Sequence, residues 1–141
     1  MKQELVSEWM TRDVISISPE ISLTEAHNLM KEKHIRRLPV VDHGKVVGMV
    51  TLGDVRGAGP SMASSLSVWE VHDLLAKLKV DKVMTRHPTT IDQEASIGEA
   101  ARVMLESKFS GLPVVDREGQ LVGIITESDI FRLVATEWSK T

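Results

Sequence analysis

An α/β (α+β) fold assembled from two copies of a β-α-β-β-α unit is predicted by three features of the 141-residue chain. The sequence matches itself when displaced by 74 residues, each matching half carries a serine-capped amphipathic helix, and each continues into two Val-rich strands and a second helix. Met10-Thr11-Arg12 falls on Met84-Thr85-Arg86, Ser22-x-x-Glu25-Ala26 on Ser96-x-x-Glu99-Ala100, Met30 on Met104, and Leu38-Pro39-Val40-Val41-Asp42 on Leu112-Pro113-Val114-Val115-Asp116. One extra residue in the second copy moves the displacement to 75, after which Val47-Gly48 meets Val122-Gly123 and Thr51-x-x-Asp54 meets Thr126-x-x-Asp129.

In the first copy, Val14-Ile15-Ser16-Ile17 is a β-branched run that predicts a short strand. Ser22-x-x-Glu25 is a capping box, in which a hydroxyl and a carboxylate satisfy the first backbone donors of a helix. Leu23, Ala26, Leu29 and Met30 then recur at helical spacing, and the helix is predicted to stop before Pro39. Leu38 to Val41 and Lys45 to Thr51 flank Asp42-His43-Gly44, which predicts a hairpin, with a helix after it that has Thr51 to Asp54 at its start. The second copy repeats the strand, the helix capped at Ser96, a hairpin through Asp116 to Gly119 and a final helix from about Ser128 into Trp138. The copies occupy residues 1–56 and 80–141, and residues 57–79 are expected to be a linker. Gly57-Ala58-Gly59-Pro60-Ser61 has linker composition; a third capping box, Ser67-x-x-Glu70, opens a helix with apolar Val68, Val71, Leu74, Leu75 and Leu78.

Composition excludes several function classes. No apolar run approaches the roughly 18 residues of a membrane span and no signal-peptide pattern is present, so a cytoplasmic protein without membrane partners is expected. Without cysteine there is no disulfide framework and no thiol nucleophile. His27, His34, His43, His72 and His87 have no metal-ligand spacing, so no metal is expected. No Gly-x-x-x-x-Gly-Lys loop, activated serine or acid/base constellation appears, and no catalytic residue is assigned. The net charge of −3 offers no global attraction to polyphosphates, and with 4% aromatic residues and no tyrosine the chain has no stacking platform for nucleic acid. An anion would have to be held at a local site.

The Met-Thr start, the Leu-Pro-Val-Val-Asp strand, the Val-Gly strand and the closing Thr-x-x-Asp, each present twice and in order, resemble a tandem pair of CBS domains, the module named after cystathionine β-synthase. The resemblance covers about residues 5 to 135, and the chain looks like a freestanding pair. It implies a pseudo-twofold module whose inter-repeat cleft binds adenosine-containing ligands, commonly AMP, ADP or ATP and in some members S-adenosylmethionine. It also implies homodimers that stack through helices, and regulation of a further protein.

The residues make such chemistry plausible. An ionised carboxylate accepts both hydroxyls of a ribose, with hydrogen bonds to a charged acceptor worth about 1.5–3 kcal/mol each, and Asp54 and Asp129 are the candidates. Thr51 and Thr126, with Gly53 and Ser128 in the same turns, stand where a hydroxyl and free helix donors meet a ribose or phosphate oxygen. The same Thr-x-x-Asp is equally a helix cap, and the two roles are compatible. Arg36-Arg37, where the second copy has Ser110-Gly111, offers planar guanidinium forks to phosphate, or else forms a solvated basic corner. A site near the arginines should take more phosphates than one near Ser110. By resemblance, the segments from Thr11 and Thr85 hold the adenine, with Ile15, Ser16, Ile35, Thr89, Thr90 and Phe109 as walls; the alternative for Ile15 and Ile35 is ordinary core. The leading reading is a non-catalytic nucleotide sensor. Its rival is a ligand-independent scaffold using the helix around Val68 to Leu78 and the final helix with Phe131, Leu133, Val134 and Trp138.

Overall fold

The computed structural model describes residues 4–62 and 68–139. Its elements are α1 (Val6–Trp9), α2 (Leu23–Lys33), β1 (Arg37–Asp42), β2 (Lys45–Thr51), α3 (Leu52–Met62), α4 (Val68–Lys77), a 3-10 turn (Val80–Lys82), β3 (Thr85–Arg86), β4 (Ile91–Asp92), α5 (Ile97–Ser107), β5 (Gly111–Val115), β6 (Leu121–Thr126) and α6 (Glu127–Glu137). They divide into two compact units, one of residues 15–88 and one that joins the residues up to Val14 to those from Thr89 onward.

In the unit of residues 15–88 a three-stranded sheet runs β1-β2-β3, antiparallel throughout. The predicted hairpin forms because His43 (φ 52°) and Gly44 (φ 83°) both adopt the left-handed backbone that a two-residue turn needs to match strand twist. Ser22 caps α2 by accepting from the Glu25 N–H at 3.1 Å. Leu23, Ala26 and Met30 turn inward onto Leu38, Val40, Val50, Val80 and Met84. Leu23, Leu38, Val40 and Val50 have no exposed surface, so each contributes about 1.5–3 kcal/mol by burial. An exposed ion pair, Lys79 Nζ to Glu20 Oε2 at 2.8 Å, ties the turn before α2 to the segment after α4; this bond and the ammonium charge lower the Glu20 carboxyl below its ordinary value and raise Lys79 above its own.

The other unit has a sheet of order β4-β5-β6, with β4 parallel and β6 antiparallel to β5. Ser96 caps α5 through the Glu99 N–H at 3.0 Å, and Ile97, Ala100 and Met104 pack on Leu112, Val114, Ile125 and Leu133. Val6 and Met10 complete this core.

Three features differ from the expectations of the sequence. The run Val14 to Ile17 is not a regular strand: the Val14 N–H turns back to Arg12 O at 2.9 Å, leaving Ile17 alone to bridge Val40 in parallel. Helix α3 runs through Gly57 to Ser61, the stretch with linker composition. The leading Met-Thr segments pack away from their own copies. Thr11 pairs with Ile124 and Met10 lies against Gly123, whereas Thr85 pairs with Met49 and Met84 lies against Gly48. The packing units are therefore offset from the repeats at 1–56 and 80–141. The predicted cap at Ser67 lies outside the described residues.

Candidate functional site

The end of α2 and the start of α3 bring one set of candidate residues together. Helix α2 stops because His34 takes the left-handed conformation (φ 56°) and the Ile35 N–H reaches back to Met30 O at 3.0 Å, a closure that turns the chain sharply into β1. Ile35 tucks against the core, and Arg36 and Arg37 follow at the mouth of the sheet. The Leu52 N–H donates to Arg36 O at 2.8 Å, fixing the first turn of α3 beside Arg36.

Thr51 and Asp54 cap that turn reciprocally. The Thr51 N–H donates to Asp54 Oδ2 at 2.9 Å and the Asp54 N–H to Thr51 Oγ1 at 3.1 Å. Asp54 Oδ1 accepts no hydrogen bond from a described residue, so half of its carboxylate is left for another donor. A cavity of about 380 Å³ opens here, lined by Arg36, Arg37, Thr51, Leu52, Gly53 and Arg56. Three guanidinium groups thus stand at the positive end of a helix. Arg36 and Arg56 are exposed and form no ion pair with a described residue. Arg56 was not singled out from the sequence. Its signal was there, since it lies four residues, one helical turn, after Leu52 on a helix whose start was legible.

The matching corner of the other unit has the same backbone and different chemistry. Lys108 takes the left-handed conformation at the end of α5, the Phe109 N–H returns to Met104 O at 3.1 Å, and the Glu127 N–H donates to Ser110 O at 3.1 Å. Asp129 is buried, and its carboxylate is engaged on both oxygens. Oδ2 accepts from the Thr126 N–H (2.9 Å) and hydroxyl (3.2 Å), while Oδ1 pairs with Arg132 at 3.0 Å. Arg132 also donates to Trp9 O at 3.1 Å and lies 5.9 Å from the Trp9 ring centroid, so this aspartate anchors α6 to the segment of α1. A largely apolar cavity of about 420 Å³ lies between α5 and α6, lined by Met104, Leu105, Lys108, Phe109, Glu127 and Phe131 among others.

The remaining predicted residues are dispersed. Thr11 and Thr85 are exposed, each paired through its backbone with the central Val-Gly strand of its unit. Ser16, Thr89, Thr90 and Ser128 are exposed, Ile15 and Ile35 lie half-buried against the first core, and Phe109 lines the apolar cavity. Ser110 is half-buried. Among the described residues no helix is long and apolar enough to cross a membrane.

The CBS domain profile matches residues 6–61 and 80–136. The chain is 39% identical over 123 residues to inosine-5'-monophosphate dehydrogenase of Korarchaeum cryptofilum, a match over 87% of this chain and 23% of the dehydrogenase. It spans less than two thirds of that relative and of two other curated relatives, at 43% and 62%. Among solved structures, CBSX2 of Arabidopsis thaliana in complex with AMP is 30% identical, with a TM-score of 0.78 over 93% of this chain and 96% of that one. The CBS domain pair of protein MJ0100, in complex with 5'-methylthioadenosine and S-adenosyl-L-methionine, is also 30% identical, with a TM-score of 0.77 over 95% of this chain and 98% of that one. With both copies matched by the family profile, the chain belongs to the CBS domain family as a tandem pair.

Proposed function

We propose that this CBS pair is a non-catalytic regulatory module that binds an adenosine-containing ligand, an adenine nucleotide such as AMP, ADP or ATP, and passes its occupancy to another protein. The observation that carries this reading is the cavity at Arg36, Arg37, Thr51, Gly53 and Arg56. Its guanidinium groups and helix start suit phosphate, and the open Asp54 oxygen suits a ribose hydroxyl. The AMP-bound CBSX2 and the adenosyl-bound MJ0100 pair support an adenosyl ligand. Binding would shift the module toward whichever conformation holds the ligand better.

Calorimetric titration of the chain with AMP, ADP, ATP, S-adenosylmethionine and methylthioadenosine tests the reading. Saturable binding of at least one supports it, and no heat from any of them at millimolar concentration refutes it. Asp54→Ala should weaken the bound nucleotide about tenfold, the loss of a charge-assisted hydrogen bond.

The proposed partner in assembly is a second copy. Leu105 on α5, Phe131 on α6, and Phe109 and Trp138 just past the ends of these helices are exposed, and Lys108 and Glu127 flank the apolar cavity with opposite charges, which a twofold axis can pair. A solution mass of one chain at micromolar concentration, with and without nucleotide, would refute it.

A further inference from the structure

The two copies offer the same backbone frame to a ligand and opposite electrostatics. The displacement of 74 residues, or 75 past the hairpin, sets Ser110 at Arg36, Gly111 at Arg37, Glu127 at Leu52, Ser128 at Gly53 and Phe131 at Arg56. Both corners are framed by a left-handed helix stop, by a carbonyl (Arg36 or Ser110) that accepts the first N–H of the next helix, and by a Thr-x-x-Asp cap. The side chains alone differ. Around the first cavity three guanidinium groups face one carboxylate, Asp54; at the matching corner one guanidinium, Arg132, faces two carboxylates, Glu127 and Asp129. Lys108, the remaining cation there, lines the apolar cavity together with Glu127.

We infer that the chain is built for one polyphosphate rather than two equivalent nucleotides: the cavity of Arg36, Arg37 and Arg56 selects an adenine nucleotide with two or three phosphates, Arg56 sets that preference, and the corner at Glu127 and Phe131 excludes phosphate. The inference rests on the nucleotide-binding reading above and deepens it. Arg36 and Arg37 stand at the start of β1, beside the first turn of α3, and line the cavity there. Arg56 stands one helical turn, about 5.4 Å, further along α3 than Leu52, and extends the positive wall beyond the reach of a monophosphate. Three like charges around one cavity favour an anion of higher charge, because each added phosphate removes repulsion as well as making new bonds. In the second unit Asp129 spends both oxygens on the cap and on Arg132, so that corner also lacks the open carboxylate oxygen that Asp54 retains.

The test is calorimetric titration of the full chain and of Arg56→Gln with adenosine, AMP, ADP, ATP and inorganic triphosphate at about 0.15 M salt, where long-range screening is strong and local contacts dominate. The wild-type chain should bind ATP at one site per chain and about tenfold or more tighter than AMP. Arg56→Gln should weaken ATP and inorganic triphosphate about tenfold and AMP less than about threefold. Arg56 is exposed, so the variant should keep the wild-type melting temperature. AMP binding as tightly as ATP, two ATP molecules per chain, or an equal loss for AMP and ATP in Arg56→Gln overturns the inference while leaving nucleotide binding intact. Binding of inorganic triphosphate that depends on Arg56, with no nucleotide bound, refutes the nucleotide reading and keeps the polyphosphate site. No binding of any of the five removes both.

Discussion

Gly123→Ala should destabilise the protein more than Gly48→Ala, although the two glycines hold matching places in the repeat. A Cβ at Gly123 would lie 2.5 Å from Met10 Sδ and 2.9 Å from Thr11 O. The sulfur can swing aside, because a thioether side chain has three soft torsions. The carbonyl cannot, because Thr11 and Ile124 exchange both of their backbone hydrogen bonds, at 2.8 and 2.9 Å. Room for the methyl therefore comes only from moving the leading segment off β6. Overpacking of this kind costs about 1–3 kcal/mol, and strain on the two bonds adds about 1 kcal/mol. The stiffer unfolded chain returns about 0.4–1 kcal/mol. The net expected for Gly123→Ala is about 2 kcal/mol. At Gly48 the three nearest atoms all belong to the Met84 side chain, its Sδ closest, then its Cγ at 2.9 Å and its Cε at 3.2 Å, so the same sum comes to about 1 kcal/mol or less. Urea unfolding followed by circular dichroism measures both; with a slope of about 2 kcal/mol/M, the midpoints of the two variants should differ by about 0.5 M. Equal midpoints, or a larger loss at Gly48, would refute the claim that the segment around Met10 is locked by its backbone to the strand of the other copy.

Three further outcomes follow from local geometry. Asp129→Ala should lower stability by about 2–3 kcal/mol, because it removes a cap and the charge-assisted bond to Arg132, whose half-exposed guanidinium can turn to water, whereas Asp54→Ala should cost about 1 kcal/mol, as a cap alone; thermal melts of the two variants compare them. Lys108→Gly and His34→Gly should each stabilise by about 1 kcal/mol in urea titrations, since both residues sit at left-handed helix ends where a Cβ is penalised. The Glu20–Lys79 pair should show in a pH series of melting temperatures. Glu20 is lowered in the folded state, so its stabilisation is present above the unfolded carboxyl value and lost as pH falls through the folded one; Lys79 is raised, so its share is present below the unfolded lysine value and lost as pH rises through the folded one. Wild type and Glu20→Gln should therefore differ at neutral pH and converge at both extremes.

What the sequence made legible was local. The starts of α2, α3, α5 and α6 were written in a Ser or Thr three residues before an acid, and each hairpin in a polar turn between Val-rich runs, because caps and turns depend on residues within one turn of each other. The two copies of Thr-x-x-Asp cap their helices alike and differ at the second carboxylate oxygen: Arg132 follows Asp129 by three residues and takes it, while Gly57 stands in that place after Asp54. Arg56 lies outside the Thr-x-x-Asp motif, two residues past Asp54, and the helix that the motif opens carries this cation to the same cavity.

The exchange of leading segments was illegible for a deeper reason. Met10-Thr11 and Met84-Thr85 are identical, and so are Val47-Gly48 and Val122-Gly123, so residue type fits either pairing equally well. Each methionine fills the space that a missing Cβ leaves on a central strand, and both glycines leave it. The choice lies in where the chain goes next. Val14 turns back on Arg12, so residues 11 and 17 do not continue one strand, and Ile17 is delivered to Val40 while Thr11 stays on Ile124. The repeat that revealed the fold so readily thus concealed its wiring. On the proposed reading the same symmetry, broken at Arg36, Arg37 and Arg56, makes the two corners distinguishable to a ligand: with equal frames and unequal charge, a difference in phosphate number becomes a difference in site.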